Sequence, residues 1–429
     1  NLNPTFKMTD KERALKSNSF CAALWTSIYQ DPSGKVSPCC VWEQNSPLGN
    51  VNESTLEEIY NSTYVGELKE KMLDGKVISE CSYCNKIKED TGEDGSRKFF
   101  HNFFDKIDWE STNTKFVYWD LRISNLCNFK CRMCYHDLSS EWYDDAIKLS
   151  KSHPTLNAPS NKILKVDDKS KFWNELESHY EYVESIYFAG GEPFLNEHHY
   201  KILEDLNNRE LYDTKIIVNT NASITKWKRK SVIDYYRNFN HILFGFSIDG
   251  SYEVGEYIRS GLDYRKWKQN VKEFVNFIEE KNTDDITYLF QFAYGVTNLH
   301  NICDFILDLI NDGLVIEKSC GFSFQPIVNP IEQSVISLPP EIFTKFKKDY
   351  NNLVIELKNR GIESYFIESL DISIGHIIKY VESNPFEKKH LNDFYKYQID
   401  LDKIRGEDIF NILPDYRKLT ITNNGTKLI

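Results

Sequence analysis

A chain of 429 residues, 41% hydrophobic and 14% aromatic, has apolar material for a large core and for more than one domain. Its 52 basic and 64 acidic residues give a net charge of −12, which argues against a general phosphate-backbone binder while leaving one structured RNA open. No run approaches the ~20 apolar residues of a membrane span, residues 1–18 lack the apolar stretch of a secretory signal, and ten cysteines in such a chain read as metal ligands in a reducing cytoplasm rather than as disulfides.

In chain order, the first chemistry-bearing block is Cys21-x12-Gly34-x4-Cys39, with Cys40 next to Cys39. Adjacent residues of an extended chain point to opposite sides, so one of Cys39 and Cys40 is a bystander. Ser54-Thr55-Leu56-Glu57 reads as a capping box for a helix running to about Leu73, and Cys81-x2-Cys84 follows it. The apolar, aromatic run 116–124 (FVYWDLRIS) has the length and composition of a strand. Immediately after it, Cys127, Cys131 and Cys134 stand with three and then two residues between them. Three thiolates on one loop suit a cubane iron-sulfur cluster, whose irons are usually held by four cysteines, so one iron is left for another ligand. A zinc site is the competing reading, with Cys81 and Cys84 as a second ligand pair. Cysteines at the carboxyl end of a strand fit the functional face of a β/α barrel better.

Beyond the loop, short apolar runs alternate with longer amphipathic ones, the pattern of βα units. Strands are expected at 184–189, 214–219, 242–248, 286–293 and 321–328. Helices are expected at Trp267 to Glu280, with Val271, Phe274, Val275 and Ile278 on one face, and at Ile302 to Leu309. Gly190-Gly191-Glu192-Pro193 follows the second strand, where glycines admit a ligand close to the backbone and a carboxylate can accept from an ammonium. Asn219-Thr220-Asn221 ends the third strand, Ser247-Ile248-Asp249-Gly250 ends the fourth, and Arg259 follows in Tyr257-Ile258-Arg259-Ser260-Gly261. Residues 336–429 read as helices, near Glu341 to Arg360 and Ser369 to Val381. The tail segment Leu401 to Gly406 is expected to serve packing and solvation alone. Cys303 and Cys320 are expected to be buried small hydrophobes.

The C-x3-C-x2-C loop resembles that of radical S-adenosylmethionine (radical SAM) enzymes. That resemblance implies a partial (β/α)6 TIM-like barrel within an α/β fold. It places a [4Fe-4S] cluster on Cys127, Cys131 and Cys134, with the amino and carboxylate groups of SAM on the open iron. It assigns Gly190, Gly191 and Glu192 to the SAM amino group, Ser247 and Asp249 to its ribose or methionine parts, Arg259 to its carboxylate and Met133 to packing against adenine. Asn221 falls where relatives carry Thr-Asn-Gly, with Ala222 as the departure.

The amino-terminal block resembles the SPASM/twitch type of auxiliary-cluster domain, and its Gly34 spacing favours Cys39 over Cys40. Cys21, Cys39, Cys81 and Cys84 would then fully ligate a second, auxiliary [4Fe-4S] cluster. In most relatives this domain follows the barrel, whereas here it precedes it. The expected division is therefore a twitch-type domain at 1–110, the barrel at 111–335 and a helical extension at 336–429.

By resemblance the reduced cluster cleaves SAM to methionine and a 5′-deoxyadenosyl radical that removes a substrate hydrogen. A fully ligated auxiliary cluster points to electron transfer and oxidative modification of a peptide or small metabolite. Flavodoxin or ferredoxin would be the reducing partner, with no membrane or nucleic acid involved. The competing readings are an iron-sulfur electron carrier or redox sensor without turnover, a zinc-stabilised interaction module, and a redox-neutral radical SAM epimerase.

Overall fold

The computed structural model describes residues 8–417 apart from 112, 154, 155, 385 and 415. The chain forms two compact units, each gathered from several stretches.

The first unit takes residues up to Asn125 together with Leu164–Ile217 and Asn238–His241. Its sheet contains β1 (Ser27–Gln30), β2 (Lys35–Ser37), β3 (Gly49–Asn50), β4 (Tyr118–Leu121) and β5 (Ser185–Phe188). β1, β4 and β5 run parallel, with β2 and β3 added antiparallel beyond β1. One face is apolar and buried, with Ile28, Trp119 and Ile186 in one cross-strand row. The other face carries the polar row Tyr29, Asp120 and Tyr187. Side chains alternate across a pleated strand, so polar and apolar residues separate cleanly onto the two faces.

Two expectations need correction in this unit. The strand expected at 116–124 is shorter at both ends; Val117 bonds to Thr26, and Ser124 forms an isolated bridge with Lys165. The capping box is formed by Thr55 and Glu58, one residue beyond the expected pair. Thr55 Oγ1 accepts from the Glu58 N–H at 3.1 Å, and Glu58 accepts the Thr55 N–H at 2.8 Å. That helix ends at Tyr60, and Ser62 caps a separate helix, Thr63–Leu73.

The second unit takes Leu126–Ile163, Val218–Arg237 and the chain from Ile242 onward. Its core strands β6 (Ile242–Ser247), β7 (Ile286–Tyr294) and β8 (Cys320–Pro326) are parallel. β7 alternates buried and half-buried residues along its whole length, burying Tyr288, Phe290 and Phe292 on one side. The helix Tyr264–Lys281 starts where Asp263 accepts the Lys266 N–H and stops at Asn282 in a left-handed conformation; Trp267, Val271, Phe274 and Ile278 are buried. Helices Pro340–Asn359, Ser364–Ser383 and Lys388–Arg405 make up the expected helical carboxyl-terminal region. The architecture is α/β. Among the described residues no helix is long and apolar enough to cross a membrane.

Candidate functional site

In the second unit the cysteine loop is held from below by its own backbone. The Cys134 N–H donates to the Cys131 carbonyl at 3.0 Å, Trp142 Nε1 donates to the same oxygen at 2.8 Å, and Ser140 Oγ bonds both the N–H and the carbonyl of Cys127. Lys130–Cys131 forms a short antiparallel ladder with Arg259–Ser260, which puts Arg259 directly opposite Cys131. N–H donors then face the sulfurs: the Phe129 amide reaches Cys127 Sγ at 3.4 Å, Asn221 Nδ2 reaches it at 3.9 Å, and Arg259 Nη1 reaches Cys131 Sγ at 3.8 Å. A hydrogen bond from Cys134 favours the Cys131 thiolate and, by the same contact, pushes the Cys134 thiol up. Three thiols with a buried guanidinium and amide donors aimed at them form a set that stabilises thiolates. That chemistry fits a cluster bound by three cysteines.

The residues expected around SAM divide between the two units. Asn221 is buried beside the loop, and its Oδ1 accepts from Ser223 while its Nδ2 donates to Asn128. Ala222 takes a left-handed conformation, φ 53°, and its backbone is held by bonds to Thr220 and Asn270. Ser247 and Met133 are half-buried. Asp249 is fully buried; one oxygen forms an ion pair with Arg259 Nε at 2.6 Å, out of line for a hydrogen bond, and the other accepts the Ala293 N–H at 2.7 Å. Asp249 therefore holds Arg259 in place.

Gly190, Gly191 and Glu192 lie in the first unit, directly after β5. Both glycines have positive φ, and a Cβ on Gly190 would stand 2.6 Å from the Cβ of Arg122, so only glycine fits there. Glu192 is buried and accepts the Phe194 N–H at 3.1 Å, which fixes its carboxylate at the strand end.

The four amino-terminal cysteines are also brought together within the first unit. Cys21, Cys39, Cys81 and Cys84 lie near enough to act on one another electrostatically. Burial pushes the Cys21 thiol up to about 12 and that of Cys81 to about 11, so ligation by these groups must release protons. Arg97, buried and within electrostatic reach of Cys21 and Cys81, donates to Asn85, and its Nε has no partner among the described residues. An orphaned guanidinium N–H beside four sulfurs suits an anionic cluster that would occupy the space between them. Gly95, φ 58°, leaves room beside Cys84 Sγ, which a Cβ would approach to 3.5 Å. Cys40 is exposed and feels Asp120 and Arg122 most strongly, whereas Cys39 feels Cys21. Among the described residues no group of three or more His, Cys, Asp or Glu side chains is set to hold a single metal ion.

Sequence reasoning missed the partners of Arg132, which lies between the second and third cysteines. The stretch Gln398 to Glu407, which includes the tail segment Leu401 to Gly406 expected to serve packing alone, carries that arginine's side-chain acceptors. Arg132 is 1% exposed; it donates to Gln398 at 2.6 Å, to Asp402 at 2.6 Å and to Glu407, and its guanidinium stacks 3.7 Å over the Tyr257 ring. Asp402 also accepts from Tyr257 Oη and from the Ile409 N–H. Arg405 pairs with Asp145 at 2.8 Å, and Cys134 and Tyr135 pack against Trp142, Tyr397 and Leu401. An arginine buried in a cysteine loop implies a buried acid elsewhere, but only the fold reveals which one. Cys303 is buried on a helix, as expected, whereas Cys320, on β8, is only half-buried rather than buried.

With this geometry in view, comparison with known proteins gives a consistent family. The radical SAM superfamily matches residues 121–292, and an iron-sulfur cluster-binding domain, SPASM, matches residues 21–85. The chain thus carries a radical SAM domain and a SPASM iron-sulfur domain, the two matches that support a [4Fe-4S] cluster, an auxiliary cluster and SAM as its cofactors. No curated protein matches it. Similar solved structures include SuiB of Streptococcus suis bound to S-adenosylmethionine, at 14% identity over 71% of this chain and 60% of that one, TM-score 0.37. They also include anSMEcpe with bound AdoMet and a Cp18Cys peptide, at 16% identity over 57% and 61%, TM-score 0.36. A third is TYW1 with a lysine-pyruvate adduct, at 13% identity over 57% and 72%, TM-score 0.28. The chain spans about three fifths of the length of the first two.

Proposed function

We propose that this protein is a radical SAM enzyme that oxidatively modifies a peptide or small-metabolite substrate and uses its auxiliary cluster to carry electrons. The observation that supports this most is the convergence of three thiols with Arg259 and Asn221 on one loop, a donor set one ligand short of a closed cluster. On this reading Cys127, Cys131 and Cys134 hold the SAM-binding cluster, and Cys21, Cys39, Cys81 and Cys84 hold the other. When bound, the cluster and SAM supply one-electron reductive cleavage to a 5′-deoxyadenosyl radical.

The residues around them bind and orient. Glu192, with Gly190 and Gly191, receives the SAM ammonium, Arg259 its carboxylate, and Met133, Asn221 and Ser247 the remainder, while Asp249 fixes Arg259. Four cysteine ligands leave the second cluster no position for substrate, which suits electron transfer and favours dehydrogenation or bond formation over epimerisation. The parallel strands belong to a partial barrel at 111–335, preceded by the auxiliary domain at 1–110 and followed by the helical region at 336–429. Ser247-Ile248-Asp249-Gly250 leans the substrate toward peptide, with a flavodoxin or ferredoxin as reductant.

Two measurements test the reading. Glu192→Gln removes the charge facing an ammonium, a charge-assisted bond worth ~1.5–3 kcal/mol. SAM affinity is expected to fall roughly tenfold to hundredfold at unchanged iron content; unaltered binding removes Glu192 from the site. The Cys81→Ala, Cys84→Ala variant is expected to lose the auxiliary cluster, still release 5′-deoxyadenosine under strong reductant, and fail to finish product. Product formed after verified loss of that cluster would shift the chemistry to a redox-neutral reaction. No 5′-deoxyadenosine from the intact protein would favour an electron carrier.

A further inference from the structure

The polar face of β1, β4 and β5 carries side chains that none of the roles above uses. Tyr29, Asp120 and Tyr187 are directly paired across the three parallel strands. Arg122, two residues beyond Asp120, continues the same face, and Tyr118 precedes it. Asp120 is 2% exposed and engages one edge of the Arg122 guanidinium, with Nε at 3.2 Å and Nη2 at 3.5 Å. The rings of Tyr29 and Tyr187 flank that guanidinium at 5.3 and 5.8 Å. The cation is thus fixed in orientation by a carboxylate and two aromatic faces.

What the guanidinium leaves open is informative. Among the described residues Arg122 Nη1 has no protein acceptor, and neither the Tyr29 nor the Tyr118 hydroxyl has a hydrogen-bond partner. The Arg122 side chain is 20% exposed. Cys40 lies within electrostatic reach of both Asp120 and Arg122 and is an exposed residue, in contrast to the half-buried Cys39. Phe99, 44% exposed and edge-on to Tyr118 at 5.1 Å, adds an apolar wall. Strand alternation and register place every strand-borne member of this set on one face, and an inert packing face would not bury an Asp-Arg pair there.

We infer that Arg122, held by Asp120 between Tyr29 and Tyr187, binds a carboxylate group of the substrate, with the Tyr29 and Tyr118 hydroxyls beside it. The free edge of a guanidinium offers two parallel N–H donors, the match of a carboxylate. The inference rests on the proposed function, because an electron-carrying auxiliary cluster must lie close to the substrate it oxidises, and Cys40 of this face adjoins the cluster ligand Cys39. It narrows the substrate to a peptide with an acidic side chain or free terminus, or to a small carboxylic acid.

The test uses Cys40 as a reporter in the reconstituted holoprotein. Its alkylation rates with iodoacetate and with iodoacetamide are read by peptide mass mapping and compared with those of N-acetylcysteine. Because Asp120 acts on Cys40 at least as strongly as Arg122, the ratio favouring iodoacetate is expected to lie at or below that of the free thiol in the wild type. Arg122→Gln, which leaves the Asp120 carboxylate alone beside the thiol, should lower it roughly fivefold, the effect of losing one nearby cation; N-acetylglutamate should slow the iodoacetate reaction, and Asp120→Asn, which leaves the guanidinium without its counter-charge, should raise the ratio above the wild-type value. Equal ratios in the wild type and Arg122→Gln overturn the inference. So does a ratio unmoved in Asp120→Asn, a variant that keeps the test open if Arg122→Gln does not fold. A Cys40 protected in the holoprotein and released by chelation would make it a cluster ligand and equally overturn it. A tenfold loss of SAM affinity in Arg122→Gln would assign the anion to SAM and sink the substrate assignment. Failure of the underlying functional reading shows separately, as wild-type protein that releases no 5′-deoxyadenosine.

Discussion

Replacing Cys127, Cys131 and Cys134 together by alanine is expected to remove about half of the iron and sulfide of the anaerobically reconstituted protein, and all of its SAM cleavage. The two thiol sets lie in different units and share no residue, so loss of one leaves the other's ligands intact. The iron that remains should show the spectrum of a closed cluster, unchanged when SAM is added, because four cysteines leave it no open position. Wild-type protein should show a second component that shifts on SAM addition. Iron content unchanged in the triple variant would mean that the loop is not a cluster site.

Arg132→Met is expected to destabilise the protein by roughly 3–5 kcal/mol, the cost of leaving a buried charge without its partner. Arg132 and Asp402 are 1% and 5% exposed, so water cannot replace the lost contact. The guanidinium also joins helix Lys388–Arg405 to the cysteine loop, and the Gln333 amide donates to the Arg132 carbonyl at 3.1 Å. The urea midpoint of the reconstituted protein should fall, and the signal of the loop's cluster should broaden as the backbone between Cys131 and Cys134 loosens. Adding Asp402→Asn to Arg132→Met should recover part of the stability, because the orphaned carboxylate is gone. A double variant no more stable than Arg132→Met would show that the tail does not hold the loop through this pair.

Much of the site is local in sequence and was legible there. Cys127, Cys131 and Cys134 are within reach of one another because the loop is short, and a strand ahead of them follows from the aromatic run in 116–124. Gly190 and Gly191 mark a stretch of bare backbone after the second strand, and both take positive φ, 74° and 55°. The apolar runs between 184 and 328 foretold the strands β5 to β8, because short runs rich in β-branched and aromatic residues favour strands. Small displacements, such as the cap at Thr55 rather than Ser54, reflect a choice between adjacent hydroxyls that local pattern cannot make.

Long-range polar pairing could not be read from the chain. Arg132 and Asp402 are separated by 270 residues, and nothing in either segment names the other; burial alone forces them together, since neither charge can enter the core unpaired. The same holds for Arg97 among the four amino-terminal cysteines and for Tyr29, Asp120 and Tyr187, which come from three distant segments. By itself the sequence determined the ligand sets and the class of chemistry, because cysteine spacing and glycine turns act over a few residues. Tertiary structure decided which charges hold those ligands and which polar face is left open, because strand register and burial are properties of the whole fold.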